Sequence, residues 1–432
     1  MNARVVQAIA ALRQALPHAR LVTPEATAEY ETLNNSYLSG FESDLSPACI
    51  FLPESKEEIA AFILAIRPFV GDVQFAIRAA GQQPLPGCAN IQDGITIDLR
   101  SLRGVRLQND TVQVAAAERW GSVYEFLEPH GLGVTGGKSA TVITFFCLRL
   151  GGLSFFSSRE GIICDSIVTR FDFRTFKQGP MYAGMVFYFK PSWRDQMAAL
   201  VKELTSPDAS VETHLMLSIA YSQIFGNGTD VLCLNQLYYT QPAQDPPVLA
   251  PFTNVQPQIA EMNSMKMKTL VQAATEQASA AQSKIRCLYM NVNVKADVET
   301  LTATRDIWCE QLEPIKDAAG LVCSYTLQPY PVSQLERTSA SGGNILGLDP
   351  SNGPHDGRVI GFMKSALKRI EQNADARGQL LPYIYWNYAF SHQDGLRSYG
   401  EANVRKLQEA SKKYDPDGMF QTACPGGFKL FN

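Results

Sequence analysis

Apolar and polar positions follow two periods along the first third of the chain. Stretch 53–68 has apolar residues at helical spacing behind Ser55 and Glu58, a pair typical of a capped helix start. Three later stretches are rich in strand-forming residues and end at Gly, Asn, Asp or Ser-containing turns: 73–81, 94–102 and 111–120. A short helix over 120–133 follows, so this part of the chain predicts mixed helices and strands.

The pattern changes to longer alternations from about residue 190. Helical periods predict helices within 192–206, 258–278 and 297–316. Strand-like stretches lie at 214–226, 230–239, 285–294 and 320–330. This order favours an antiparallel sheet with helices on one face, and therefore an α+β fold. The division predicted for the chain is 1–190, 191–380 and a C-terminal segment 381–432.

Composition and charge exclude several classes of protein. The 432 residues carry 38 basic and 42 acidic side chains, without a basic stripe, so no nucleic-acid partner is expected. No apolar run reaches the roughly 18 residues of a membrane span. Nine scattered cysteines without a C-x-x-C pair predict neither a metal site nor a disulfide framework.

The N-terminus indicates a cytoplasmic protein. The first twenty residues have an arginine-dotted helical period and lack the apolar core and cleavage site of a signal peptide. Three N-x-S/T sequons keep secretion open as an alternative; they are at Asn34, Asn109 and Asn227.

Several stretches, taken in order, resemble the berberine-bridge-enzyme-like group of FAD-linked oxidases, in particular its fungal members. They include "LGGLSFF" (150–156) and "YWNYA" (385–389), and the most specific are "AIRAAGQQPLPGCAN" (76–90), around Arg78, and "KYDPDGMFQ" (413–421). The resemblance implies an FAD-binding domain of the PCMH or vanillyl-alcohol-oxidase type, a substrate domain, and a chain that returns to the first domain. It also implies hydride transfer from a small natural product to flavin and then to oxygen.

The resemblance assigns the turn after residue 78 to the cofactor. Family members have two glycines there, which let the backbone approach the FAD pyrophosphate, and a histidine that is bonded to the flavin. Here Arg78 leads into Ala80, Gly81 and Gln82. A glutamine amide cannot form the histidyl link, which excludes covalent flavin at this position, and the methyl group of Ala80 is expected to crowd the cofactor.

A second glycine-rich loop is also assigned to the cofactor by resemblance. Gly136, Gly137, Gly151 and Gly152 match its positions, but Ile143, Phe145 and Phe146 stand where small residues are expected. Two phenyl rings would fill volume that a dinucleotide needs. After Asp165 and Ser166 the chain continues directly into 167–176, without a few dozen residues that contribute FAD-binding backbone in the family.

These three departures predict that the protein has no cofactor, with noncovalent FAD as the alternative. A flavin-free protein could use its apolar pocket for a non-redox step on a small hydrophobic polyketide or aromatic metabolite. Cyclisation, a pericyclic reaction or isomerisation is the predicted chemistry. An FAD-dependent oxidase is the first alternative, and a catalytically inactive binding protein is the second.

The aromatic stretch 381–395 contains the candidate catalytic residues. By resemblance it runs along the flavin edge that faces substrate. Tyr388 is predicted as the donor, Asn387 as an orienting group and Tyr385 or Trp386 as a wall of the pocket. His392 is a candidate acid or base, because an unperturbed histidine titrates near neutral pH. His214 is a weaker candidate, at the entrance to a predicted strand.

Overall fold

The structure is a computed structural model that describes residues 2–82, 85–141, 169–206, 208–223, 230–278, 285–329 and 357–431. Within these ranges the chain forms two four-stranded sheets, a five-stranded sheet and a two-stranded pair, with helices between them. The mixture confirms the predicted α+β class. Residues 142–168, with the predicted gap at Ser166, the two phenyl rings, Gly151 and Gly152, lie outside the described part of the chain.

The first sheet places the turn that was assigned to the cofactor. Its strand order is β1-β2-β4-β3, with β1 (Arg20–Val22), β2 (Cys49–Leu52), β3 (Phe75–Arg78) and β4 (Ile95–Asp98). Strands β2 and β3 run parallel to β4, and Arg78 is paired with Asp98 at the carboxyl ends of the strands. The turn therefore leaves the carboxyl edge of this sheet.

Two long helices cover this sheet. Helix α1 (Ala3–Ala15) and the shorter α2 (Thr27–Asn34) and α3 (Gly40–Ser43) precede α4 (Lys56–Ile66). Ser55 caps α4 by accepting a hydrogen bond from the N–H of Glu58 at 3.1 Å, as the sequence predicts. The apolar faces of α1 and α4 pack with the inward residues of the strands into one core.

The second sheet is antiparallel, with strand order β5-β6-β8-β7. Its strands are β5 (Val105–Gln108), β6 (Thr111–Ala115), β7 (Leu132–Val134) and β8 (Arg170–Lys177). Helix α5 (Trp120–Leu127) lies between β6 and β7 in the chain, and its Trp120 and Tyr124 are fully buried. Gly131 ends the following turn with a φ of +64°, which suits glycine.

The third sheet has five antiparallel strands in the order β12-β9-β11-β10-β14. They are β9 (Met181–Phe189), β10 (Thr213–Ser222), β11 (Leu232–Tyr239), β12 (Lys266–Lys268) and β14 (Val322–Leu327). One face packs against α6 (Trp193–Thr205), α7 (Ala250–Thr253), α9 (Val298–Leu312) and α10 (Gly357–Ala376). The opposite face, here called the open face, looks towards the second sheet, α5 and α8 (Leu270–Ala278).

The structure departs from the sequence pattern in two stretches. Only residues 270–278 of the predicted helix 258–278 are helical, because β12 and its approach form the edge of the five-stranded sheet. Only Asn293–Val294 of the predicted strand 285–294 is a strand, β13, paired with β15 (Leu380–Leu381). The rest of that stretch lies beside the N-terminal part of the chain, where the N–H of Ile285 donates to the carbonyl of Leu38 at 3.1 Å.

The C-terminal segment returns to the first sheet. Helix α11 (Glu401–Tyr414) is followed by α12 (Met419–Thr422), whose Met419 lies in the core formed by α1, α4 and the first sheet. The N–H of Phe75 in β3 donates to the carbonyl of Ala423 at 2.7 Å. Strand β9 belongs to the five-stranded sheet, so the change of sheet lies between Lys177 and Met181, ahead of residue 190.

Candidate active site

The turn after β3 is built around Gly81. This residue has a φ of +73°, and a β-carbon added to it would lie 2.6 Å from Cδ1 of Tyr37. Its carbonyl accepts a hydrogen bond from the N–H of Leu38 at 2.9 Å. Both the backbone conformation and the lack of space therefore require glycine here.

The methyl group of Ala80 lies in the core and not in the turn's concave side. Ala80 is 3% exposed and packs in the cluster that contains Val114 and Trp120. The expectation that this methyl group crowds a cofactor is therefore wrong, because the methyl group points into the apolar interior.

The backbone N–H groups of Ala80, Gly81 and Gln82 make no hydrogen bond to any other described residue. Ala80 and Gly81 are buried, and Gln82 is half-buried. Buried N–H groups are nearly always paired, and successive N–H groups around a left-handed residue form a concave site for anions. The turn thus offers N–H groups that can donate hydrogen bonds to a pyrophosphate.

The side chain of Arg78 supports this turn from within the protein. It is fully buried, and its guanidinium carbon lies 3.6 Å from the centre of the Tyr37 ring. Nη1 donates to the carbonyl of Leu33 at 2.7 Å, and Nη2 donates to the carbonyl of Ser36 at 2.8 Å. Asp98 lies 3.5 Å away as the counter-ion. Arg78 therefore braces the turn through protein contacts.

Glu42 holds the chain beyond the turn, a role that the sequence analysis missed. Its carboxylate accepts hydrogen bonds from the N–H groups of Gly87, Ala89 and Asn90 at 2.9 to 3.2 Å. Burial raises the pKa of this carboxyl group to about 8, while the N–H donors act in the opposite direction. Residues 87–90 are therefore fixed by the protein itself, in contrast to residues 80–82.

The second predicted cofactor loop also depends on a glycine. A β-carbon at Gly136 would lie 2.2 Å from the Trp120 ring and 2.6 Å from the hydroxyl of Tyr124. That hydroxyl donates to the carbonyl of Gly137 at 2.8 Å. The backbone at Gly136 and Gly137 therefore packs directly against Trp120 and Tyr124 of α5.

The aromatic segment 383–393 is held by two amide side chains. Asn291 accepts from the N–H of Tyr385 at 2.6 Å and donates to the carbonyl of Tyr385 at 2.9 Å. Gln393, 1% exposed, donates to the carbonyl of Asn291 at 2.7 Å and accepts from the N–H of Phe390 at 3.3 Å. We call Asn291 and Gln393 the amide clip. No sequence motif predicts it.

The amide clip presents a group of tyrosines. The Tyr388 ring lies 4.9 Å from that of Tyr385 and 5.0 Å from that of Tyr289, measured between centroids. Tyr388 and the predicted Asn387 share one short 3-10 turn, and only the backbone of Asn387 is described. Tyr289 is a member of this group that sequence reasoning did not single out.

The aromatic segment and the turn after β3 are neighbours in space. Phe390 and Leu85 belong to one apolar cluster, which also receives Cys88, Leu288 and Phe428. The structure thus brings together two stretches that are about 300 residues apart in the chain. The predicted cofactor turn and the predicted catalytic segment border the same region.

The pKa of His392 is lower than the value near neutrality that the sequence predicts. Burial, with a smaller effect from the Lys364 charge, lowers its pKa to about 4. Its Nδ1 is buried and has no hydrogen-bond partner among the described residues. His392 is therefore neutral at pH 7, so the expectation of a pKa near neutrality is wrong.

Comparison with known proteins gives a consistent result. Residues 47–169 match the FAD binding domain family. The chain is 25% identical over 467 residues to the FAD-dependent monooxygenase drtC of Aspergillus calidoustus, covering 93% of this chain and 86% of that protein. It is 26% identical to the FAD-dependent monooxygenase tpcD of Cochliobolus heterostrophus, with coverage of 90% and 86%.

Solved structures show the same fold. The 6-hydroxy-D-nicotine oxidase of Arthrobacter nicotinovorans superposes with a TM-score of 0.74 at 12% identity, covering 94% of this chain and 97% of that one. The glucooligosaccharide oxidase of Acremonium strictum has a TM-score of 0.67 at 15% identity, with coverage of 95% and 97%. The matched domain, the relatives and the shared fold together support the resemblance to the berberine-bridge-enzyme-like group of FAD-linked oxidoreductases that the sequence indicates.

The prediction of a protein without a cofactor is wrong. The matched FAD-binding domain and the FAD-dependent relatives point to FAD. The turn after β3 fits that cofactor, since its three successive N–H groups have no hydrogen-bond partner among the described residues and can donate to a pyrophosphate. The non-redox step that was predicted from the absence of flavin loses its basis.

Two other features are absent from the described residues. Across the described ranges, no three His, Cys, Asp or Glu side chains are grouped so that they could hold a metal ion. In the same ranges, no helix combines the length and the apolar character needed to cross a membrane.

Proposed function

We propose that this protein is an FAD-dependent oxidoreductase that binds FAD without a covalent bond and oxidises a small hydrophobic natural product. The observation that carries the proposal is the turn after β3, where three successive N–H groups surround Gly81 without another described partner. An anionic pyrophosphate satisfies such donors.

The absence of a covalent link follows from Gln82. This residue occupies the position where the family has its flavin-bonded histidine, and a neutral amide does not form that bond. FAD would therefore be held by Ala80, Gly81 and Gln82 through their backbone, and by the loop at Gly136 and Gly137. Bound FAD supplies a hydride acceptor that can be reoxidised by oxygen.

The aromatic segment would supply the substrate side of the site. Tyr385 is 8% exposed and is suited to form a wall, because the amide clip fixes its backbone on both sides. Tyr388 could donate a hydrogen bond from its hydroxyl, and Asn387 could orient the substrate. Neutral His392 could accept a hydrogen bond but would be a weak base, since its pKa is about 4.

The proposal is tested by reducing the purified, FAD-loaded and desalted protein with light and EDTA as the electron donor under anaerobic conditions, and then adding oxygen. We expect the flavin absorption to bleach and to return, with about one hydrogen peroxide formed per protein chain. A preparation that shows no reducible flavin after incubation with FAD would contradict the proposal.

A further inference from the structure

Stretch 285–291 runs from the turn after β3 to the aromatic segment. At its start, the N–H of Ile285 donates to the carbonyl of Leu38 at 3.1 Å, and the N–H of Leu38 donates to the carbonyl of Gly81 at 2.9 Å. At its end, Asn291 belongs to the amide clip that holds the aromatic segment. The stretch is therefore fixed at both ends, between the two parts of the proposed site.

Successive side chains of this stretch have different surroundings. Leu288 and Met290 pack into the apolar cluster that joins the turn after β3 to the aromatic segment. Tyr289, between them, contacts the ring of Tyr388 instead, with 5.0 Å between the ring centroids. The packing of both neighbours therefore fixes the backbone from which the Tyr289 ring projects.

Tyr289 is the accessible end of a row of three tyrosine rings. Tyr385, at the other end, is 8% exposed and its backbone is held by the amide clip. Tyr388 lies between them, 4.9 Å from the Tyr385 ring. Tyr289 is 40% exposed, and its hydroxyl has no hydrogen-bond partner among the described residues. The row thus ends in an aromatic surface that the protein leaves uncovered.

The exposed surface of Tyr289 lies in a concave part of the protein. Burial raises the pKa of its hydroxyl, with smaller effects from Tyr388 and Cys287. A tyrosine on a convex surface is solvated on most sides and shows no such rise. A ring that is surrounded by protein and is still 40% exposed therefore lines a cleft. Clefts lined by aromatic side chains are typical sites for small molecules.

We propose that Tyr289 is a substrate-binding residue whose ring packs against an aromatic ring of the substrate. Aromatic pairs attract each other beyond the effect of the area that they bury. Because the Tyr289 ring is already held by Tyr388 and by its packed neighbours, little side-chain freedom is lost on binding. The proposal rests on the proposed function, because it adds a wall to the substrate side of that site. It narrows the substrate class to aromatic metabolites.

Benzyl alcohol and cyclohexylmethanol test this proposal, since they share a hydroxymethyl group and differ in whether the ring is aromatic. Calorimetric titration of the holoenzyme gives the ratio of their dissociation constants, and comparing this ratio between variants cancels the difference in hydrophobicity of the two rings. Tyr289→Leu should shift the ratio against benzyl alcohol by about three- to tenfold, whereas Tyr289→Phe should keep it. Tyr414→Leu, a change at an exposed tyrosine of α11, should behave as the wild type.

Three results would overturn the assignment. The first is a wild-type protein that binds neither alcohol. The second is a Tyr289→Leu variant with the wild-type ratio, or a Tyr289→Phe variant that loses it. The third is loss of FAD in Tyr289→Leu, which would place the ring in the cofactor site. If the wild type itself holds no FAD, the proposed function fails, while the titration still reports separately on whether Tyr289 selects an aromatic ring.

Discussion

Ala80 and Gly81 differ by one methyl group, which the structure accommodates at Ala80 and would exclude at Gly81. The methyl group of Ala80 is buried in the core with Trp120, whereas a β-carbon at Gly81 would collide with the ring of Tyr37. From the sequence, Ala80 was the position in doubt. The structure shows instead that Gly81 is the position that does not accept a β-carbon.

Replacing Gly81 with alanine is expected to weaken FAD binding by at least about tenfold. The substitution adds the strain of a left-handed alanine, about 1 to 2 kcal/mol, and pushes the turn away from Tyr37. Gly320→Ala is a matched control, because Gly320 has a φ of +70° and open space around it. Fluorescence titration with FAD measures the affinity, and a folded Gly81→Ala protein with wild-type affinity would refute the role of the turn.

His392 is expected to titrate with a midpoint near pH 4 in the folded protein. Its folded pKa is lowered from 6.5 to about 4, so the unfolded chain takes up this proton first as the pH falls. The contribution of His392 to stability is therefore present above pH 6.5 and is lost as the pH falls towards 4. Proton–carbon NMR of histidine-labelled protein measures the midpoint, and a value near 6.5 would show that the ring is solvated.

At the scale of elements, the amide clip decides where the aromatic segment lies. Asn291 comes from the stretch beside β13, and Gln393 from the loop after the 3-10 turn, yet they bond to each other and to the backbone between 385 and 390. Their partners are backbone groups up to about 100 residues away. Such bonds have no pattern in sequence, which is why the clip could not be predicted.

Asn291→Ala is expected to lower the free energy of unfolding by about 1 to 3 kcal/mol, because it removes the hydrogen bond to the N–H of Tyr385 and one of the hydrogen bonds to its carbonyl in a mostly buried position. Asn291→Asp keeps the acceptor for the N–H and should cost less. Asn254→Ala, at an exposed site, serves as the control. Urea unfolding gives the values; equal stability of Asn291→Ala and Asn254→Ala would mean that the clip does not hold the segment.

Elements with local signals were predicted well, and those that depend on distant partners were not. Helix α4 carries its own cap in Ser55, and its apolar spacing is complete within 56–66. Stretch 285–294 has strand-like composition, but pairs as a strand only over Asn293–Val294 because the rest of it runs beside the N-terminal region. Composition alone does not supply the partner that a strand needs.

At the scale of the whole molecule, two chain regions that are distant in the sequence contribute to the proposed FAD site. The first sheet supplies the turn at Gly81, α5 supports the loop at Gly136, and Ala80 and Trp120 belong to one apolar cluster. The resemblance seen in the sequence correctly gave the family and the fold. It failed on the cofactor, because departures from the family's motif were interpreted as loss of the FAD site, whereas the matched FAD-binding domain and the FAD-dependent relatives point to FAD.

The central claim is that this protein binds FAD through backbone contacts and without a covalent bond. The most direct measurement is acid precipitation of the purified, FAD-saturated and desalted protein, followed by chromatography of the supernatant and the pellet. The account predicts about one FAD per chain, all of it in the supernatant. Flavin that stays with the pellet, or a protein that retains no FAD before precipitation, would contradict it.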